Sequence, residues 1–476
     1  MPINKKTKIL ATLGPASASK DIIREMMIVG VDVFRINFSH ADYEEVKQRI
    51  NYIRELNDEL QRHTAILADL QGPKLRVGKM EDGVMLNPGD QIAFVTGESF
   101  VGNKERVYMN YSQFPRDVNS GEKILLDDGK LIFEVLETNR SNEVSTKVLQ
   151  GGMLKSNKGV NLPNTSISLP ALTEKDIKDA IFAIGQNVDW IALSFVRHAK
   201  DIDDLRLLIE EHATNPIPIL SKVEKPEAIT NMKEIVMNSD AIMVARGDLG
   251  VEVPAEEVPL LQKQLVNMSK TYNKPVVIAT QMMETMMDSL TPTRAEVNDV
   301  GNSVMDGADA VMLSGETSVG QYPVEVVAKM ASIIKAVEES PMISVPDSIQ
   351  VDQKSRFTTN KICQQASELA NDLEAKVICT LTNSGYTAFQ ISARRPNSYI
   401  LVFTDNKTIL GRLNLLWGVY ACYYDKMVST DETVEDVIQY AKDNHILKAG
   451  DMTVSLSSMP IKERGMVNTL RVTRCQ

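Results

Sequence analysis

Short apolar runs recur along the first two-thirds of the chain: KILATL (8–13), VDVFRIN (31–37), AILADL (65–70), WIALSF (190–195), PILSKV (218–223), AIMVARG (241–247), VVIAT (276–280) and AVMLSG (310–315). Runs this short and this apolar read as strands buried on both faces, the habit of a parallel sheet. Between most of them lie stretches with helical periodicity, such as DIIREMMIVG (21–30), YEEVKQRINYIRELNDEL (43–60) and EIVMNS (234–239). Strand alternating with helix through eight units predicts a closed (β/α)8 barrel, an α/β fold.

Two regions break that rhythm. From Gly72 to about Pro170 the chain turns β-rich and turn-rich, with PGDQIAFVTG, GEKILLDDGKLIFEVLE and KGVNLPNTSIS. This predicts a small β-domain inserted after the third strand, at the face where barrel active sites are built, placed to act as a lid. After SPMISVP (340–346) the runs AKVICTLT, SYILVFT, GVYACYYD, MTVSLSS and TLRVTR predict an open, mostly parallel α/β sheet with one antiparallel edge strand. The domain limits expected are 1–72 and 171–342 for the two parts of the barrel, 73–170 for the lid and 343–476 for the C-terminal domain.

Composition adds mainly exclusions. A chain of 476 residues with 43% hydrophobic and 24% charged side chains is globular and too long for one core. No run of eighteen apolar residues offers a membrane span, and MPINKKTKIL is read as the start of the folded barrel rather than a leader. The net charge of −11, without a basic stripe interleaved with aromatics, argues against nucleic acid as a partner. Cys363, Cys379, Cys422 and Cys475 form no CxxC pair; they read as three core thiols and one exposed near the C-terminus, in a reducing cytoplasm.

Candidate chemistry gathers where polar residues interrupt the strands. The second strand ends in Arg35 and Asn37, with Ser39 and His40 following, and the third ends in Asp69. The fifth supplies Lys222 and Glu224, the sixth Arg246, Gly247 and Asp248, the seventh Thr280 and Gln281, the eighth Ser314 and Glu316. A single charged residue at a strand end is usually a solvated loop residue; six strands doing so at the same end point to a site. Lys222 and Glu224 are two residues apart and so share a side of the strand. Glu224 and Asp248, on neighbouring strands, can converge on one cation, and hard oxygen ligands completed by substrate and water suit magnesium better than zinc. The alternative is that these carboxylates merely pair with Lys222 and Arg246. The glycines of ARGDLG let backbone amides approach an anion ahead of a helix expected to start near Pro254–Glu256. Thr293-x-x-Glu296 reads as a capping box, and QMMETMMDS as packing.

The segments KTKILATLGPAS, FRINFSH, ADLQGPKLR, KGVNLP, SKVEKPEAI, MVARGDLGVEVP, ATQMMETM, PTRAEVNDV and LSGETSVGQYPVE resemble the pyruvate kinase family, in its order, from residue 5 to about 340. The resemblance implies transfer of a phosphoryl group from phosphoenolpyruvate to ADP, giving pyruvate and ATP. It implies that Glu224 and Asp248 bind Mg2+ (or Mn2+) and that Lys222 faces the transferring group. The amides of Gly247 and Asp248, with Thr280, would hold the substrate carboxylate. Arg35 and Arg76 would clamp phosphate oxygens, Lys158 would reach the nucleotide phosphates, and Asn37, His40 and Asp127 would border the nucleotide. Thr280 and Ser314 are candidates for organising a proton through water. A homotetramer is implied by the resemblance alone.

One position sorts the family. Members that need potassium resemble GPEIR after the third strand, whereas this chain reads GPKLR, with Lys74. Its tethered ammonium would supply the charge that bound potassium otherwise brings, beside Asn37, Ser39, Asp69 and Leu70, so no potassium requirement is expected. In the third domain LTNSGYTA resembles an effector phosphate loop, with Thr382, Ser384, Gly385 and Thr387, but Tyr386 stands where a basic residue is common. A barrel lyase or aldolase would share Glu224, Asp248 and Lys222 without needing Lys158 or the inserted domain. A non-catalytic relative would lack a key residue, and none is missing.

Overall fold

In the computed structural model the chain is described over residues 5–163, 165–340, 342, 343, 345, 349, 356–426, 429–459 and 466–476, without the side chains of His40 and Thr430. All eight expected barrel strands form: Lys8–Thr12, Val33–Asn37, Ala65–Asp69, Trp190–Leu193, Ile219–Val223, Ala241–Ala245, Val276–Ala279 and Ala310–Leu313. Each pairs in parallel with its neighbours, and the first closes on the eighth through Lys8 opposite Ala310. Inward residues such as Leu10, Leu67, Trp190, Met243, Val277 and Met312 fill the barrel, and outward ones pack beneath the helices. The helix Tyr43–Leu60 begins where Asp42 accepts the amides of Glu44 and Glu45, two donors a helix start otherwise leaves open. The Thr293–Glu296 capping box forms as expected and opens the helix Arg294–Met305.

The inserted region folds on its own core into a six-stranded sheet and a two-stranded one. Its sheet order begins at Val160–Asn161 and continues through Lys123–Leu126, Leu131–Thr138, Glu143–Gln150 and Gln91–Val95 to Arg106–Tyr108. The C-terminal sheet runs Val419–Tyr423, Tyr399–Thr404, Val377–Leu381, Met452–Ser457, Thr469–Arg474, and only the last strand is antiparallel. Cys475 is buried rather than exposed, because the edge strand carries it onto the cluster of Val437, Ala441 and Leu447.

The C-terminal domain closes the N-terminal end of the barrel. Leu415 joins the barrel's interior cluster, the Trp190 indole donates to the Arg412 carbonyl at 3.2 Å, and Lys8 Nζ donates to the Val419 carbonyl at 2.7 Å. At this end an aspartate precedes every even-numbered strand. Asp32, Asp189, Asp240 and Asp309 accept the amides of Ile9, Ile66, Ile219 and Val276 at 2.8, 2.8, 2.9 and 3.0 Å. Each also has a basic partner, respectively Lys5, Arg54, Arg206 and Arg395.

Candidate active site

At the opposite, C-terminal end, cations and carboxylates alternate in a row. Arg35 Nε donates to Asp69 Oδ2 at 2.6 Å, Lys222 Nζ lies 3.5 Å from Asp69 Oδ1, and Glu224 Oε1 is 2.9 Å from the same ammonium. Lys222 also donates to Ser194 Oγ at 2.8 Å, which in turn donates to the Leu70 carbonyl at 2.7 Å. Arg35 is steadied by Thr12 Oγ1 at 3.1 Å. Strand geometry produces the row: Arg35, Asp69 and Lys222 alternate inward on the second, third and fifth strands, and Glu224 follows one step past the strand end.

Charge here is confined. Asp69 and Glu224 are almost fully buried. Burial works to raise the Asp69 carboxyl, but Lys222 and Arg35 outweigh it and hold the group below its ordinary value. Burial works to lower Lys222, and the Asp69 and Glu224 carboxylates reverse it, so the lysine stays charged. Glu224 is pushed up, first by burial and then by the Asp248 carboxylate, with Lys222 pulling the other way.

The residues present fit a divalent cation. The buried oxygens Asp69 Oδ1 and Glu224 Oε1 face only the Lys222 ammonium, at 3.5 and 2.9 Å, without hydrogen-bond geometry, so each keeps acceptor capacity. The half-buried Asp248 carboxylate makes no hydrogen bond or ion pair among the described residues. Arg246 does not neutralise it, since its guanidinium forks onto Asp299 at 2.6 and 2.7 Å and donates to the Thr280 carbonyl at 2.7 Å. Among the described residues no three His, Cys, Asp or Glu side chains converge as a ready-made cage. Two carboxylates therefore leave the remaining positions to substrate and water, the habit of magnesium.

The helix expected near Pro254–Glu256 forms, and a further short helix over ARGDLG precedes it. This short helix spans Arg246–Glu252, directly after the sixth strand, and is followed by a turn at Ala255–Glu257 and the helix Val258–Thr271. Gly247 and Asp248 thus lie in its first turn, where amides have no partner within the helix. The Gly247 amide donates to Thr280 Oγ1 at 2.7 Å. Thr280 has φ +73° and Gln281 φ +53°, a conformation costly for a β-branched residue. That strained turn aims the Thr280 hydroxyl at Gly247.

Other expected residues fall in separate places. Lys158 pairs with Asp127 at 2.8 Å in the lid, and Arg76 donates to the Asn157 carbonyl at 3.0 Å, also in the lid. Asn37 caps its own turn by accepting the Ser39 amide at 3.0 Å, and the His40 side chain lies outside the described residues. Ser314 donates its amide to Glu316 at 2.7 Å. Lys74 is exposed and forms no ion pair among the described residues. Gly72 must be glycine: at φ +70° a Cβ would come within 2.7 Å of the Phe195 ring. In the C-terminal domain the Gly385 amide donates to Thr382 Oγ1 at 3.0 Å, Ser384 is exposed, and Thr387 turns inward to Thr380 at 2.8 Å. Tyr386 donates to Asn360 at 2.8 Å beneath the Arg356 guanidinium.

Sequence reading missed Ser194, Phe195 and Thr12. Their signal was available, since they end the fourth and first strands at the same face as the other polar residues. Asp299 carried none, because its pairing with Arg246 spans 53 residues.

The chain matches the family described as pyruvate kinase, barrel domain, over residues 4–327, and pyruvate kinase, alpha/beta domain, over residues 360–473. It is 42% identical to a pyruvate kinase of Bacillus licheniformis over 98% of this chain and 80% of that one. It is 40% identical to that of Corynebacterium glutamicum over 99% and 98%. A crystal structure of a pyruvate kinase from Cryptosporidium parvum superposes with a TM-score of 0.92 at 33% identity, covering 99% of this chain and 97% of that one.

Proposed function

The chain belongs to the pyruvate kinase family, a family of phosphotransferases, and on that premise we propose that it moves the phosphoryl group of phosphoenolpyruvate to ADP, with Mg2+ (or Mn2+) and without a potassium requirement. The observation that carries this reading is the buried Arg35–Asp69–Lys222–Glu224 row beside an uncompensated Asp248, under a lid that bears Lys158.

Phosphoryl transfer passes through a loose transition state, so catalysis is mostly positioning and neutralisation of charge. Lys222, kept charged by its two carboxylates, faces the transferring group and then stabilises the enolate left behind. Glu224 and Asp248 would hold the divalent ion, which when bound supplies positive charge to substrate and phosphoryl oxygens. The amides of Gly247 and Asp248 with Thr280 take the substrate carboxylate, displacing the Thr280 contact to Gly247. Arg35 and Arg76 clamp phosphate oxygens, while Asn37, His40, Asp127 and Lys158 border the nucleotide as the lid closes. Thr280 and Ser314 organise the water that protonates the enolate carbon.

Lys74 is the built-in cation in this reading, swung from its exposed position toward Asn37, Ser39, Asp69 and Leu70 on lid closure. The Thr382–Thr387 loop is the effector site, with Tyr386 leaving a sugar monophosphate or another anion as its ligand class. The working division into 1–72, 73–170, 171–342 and 343–476, the homotetramer and the cytoplasmic location belong to the same proposal. No helix among the described residues is long and apolar enough to cross a membrane.

The test is ATP formation from phosphoenolpyruvate and ADP with Mg2+ in buffer free of sodium and potassium, then with potassium added. Full activity without potassium is expected. Activity only with potassium would remove the Lys74 reading and keep the enzyme; none in either buffer would favour the lyase or the non-catalytic relative.

A further inference from the structure

The helix Arg246–Glu252 is too short to hold its own position, so its anchors set where Gly247 and Asp248 sit. Its first residue is fixed by Asp299 and the Thr280 carbonyl. Its last, Glu252, is 4% exposed and takes two donors on one oxygen: Lys225 Nζ at 2.5 Å and Asn161 Nδ2 at 2.9 Å. Neither donor comes from the helix's own neighbourhood. Lys225 directly follows Glu224 in the loop after the fifth barrel strand, and its ammonium also lies over the Phe195 ring. Asn161 belongs to the lid, in the strand that pairs Val160 with Leu126 and Asn161 with Leu125. Lys158 lies three residues before it and reaches Asp127, just past the end of the partner strand.

We propose that Glu252 is a positioning residue that ties the lid to the helix carrying Gly247 and Asp248. Glu252 stands one helical turn after Asp248, so the two carboxylates share a side of the helix. A shift of Asp248 toward a cation moves Glu252, and Glu252 moves Asn161 and with it the strand leading to Lys158. Lys225 gives the same tie a second root beside Glu224. The tie therefore connects both metal-binding carboxylates to the nucleotide-facing part of the lid through one buried oxygen. Glu252 Oε2 is buried with no partner. The proposal rests on reading Glu224 and Asp248 as the metal ligands.

The test is hydrogen exchange of the lid segment 158–162 in the full-length enzyme, with and without Mg2+ plus phosphoenolpyruvate and no ADP. In the wild type the ligands should slow exchange there about tenfold; in Asn161→Ala and the near-isosteric, uncharged Asn161→Leu that response should be lost, with kcat down about tenfold and the KM for phosphoenolpyruvate within about twofold. Both variants leave the Lys225–Glu252 pair in place, so the melting temperature should hold. A lid response equal to the wild type's in both variants overturns the proposal, as does loss of kcat that merely tracks a lowered melting temperature. Mn2+ binding by electron paramagnetic resonance separates the underlying reading: unchanged binding in Glu224→Gln overturns the metal assignment, and the lid response still decides the tie.

Discussion

Asp309 at one end of the barrel and Glu224 at the other are both carboxylates with almost no exposure. Asp309 accepts the amides of Val276 and Trp417 at 3.0 and 3.2 Å and a two-pronged bond from Arg395 at 3.1 and 2.8 Å. Glu224 accepts one amide, from Phe195 at 2.8 Å, and its other oxygen faces only Lys222, at 2.9 Å, an ammonium it shares with Asp69. The N-terminal end uses its carboxylates to tie neighbouring strands together and to dock the C-terminal domain. The C-terminal end leaves its carboxylates with fewer partners, the disposition that the proposed cation site requires. In barrel enzymes generally, chemistry sits at the C-terminal end and stability at the other.

Substitutions should therefore divide by end. Lys222→Met removes the charge that the proposed mechanism sets against the transferring group and should lower kcat by two to three orders of magnitude, about 4 kcal/mol, in a steady-state assay. Arg395→Met, at the other end, strands the buried Asp309 and should cost about 3 kcal/mol in chemical denaturation, while the folded fraction keeps its activity. A loss of catalysis per folded molecule in Arg395→Met would break the comparison.

A pH series sharpens it. Burial pushes the Lys8 ammonium at the N-terminal end down to about 8, against the pull of Asp32. The folded value lies below the unfolded one, so between these two values the unfolded chain binds more protons and stability rises with pH. Between pH 7.5 and 9.5 the wild type should gain about 2 kcal/mol relative to Lys8→Met, read from urea midpoints. The smallest effect is expected from Thr293→Ala, which removes a helix cap at the C-terminal end and should cost about 1 kcal/mol with kcat unchanged. That outcome would mark Thr293 as a structural residue on the functional face.

The barrel was legible because eight strands buried along nearly their whole length leave short, apolar runs that helices do not imitate. Arg35, Asp69, Lys222 and Glu224 were legible because polar residues at one end of such strands have few structural reasons to be there. The short helix Arg246–Glu252 was missed because Gly247 and Gly250 are poor helix formers; distant anchors, Asp299 and Asn161, hold it instead. Cys475 read as exposed because a terminal position says nothing of the edge strand that buries it. The aspartates before the even strands stand plainly in VDVF, VDWI, SDAI and ADAV, but only strand pairing reveals which amides they take.

The most direct measurement is the melting temperature of Glu224→Gln beside the wild type, first in metal-free buffer and then with Mg2+. Burial holds the ionised Glu224 at a cost, so the neutral variant should melt at or above the wild type without metal. Mg2+ should then raise the wild type alone. A variant that melts several degrees lower in metal-free buffer, or gains as much from Mg2+ as the wild type, would contradict the account.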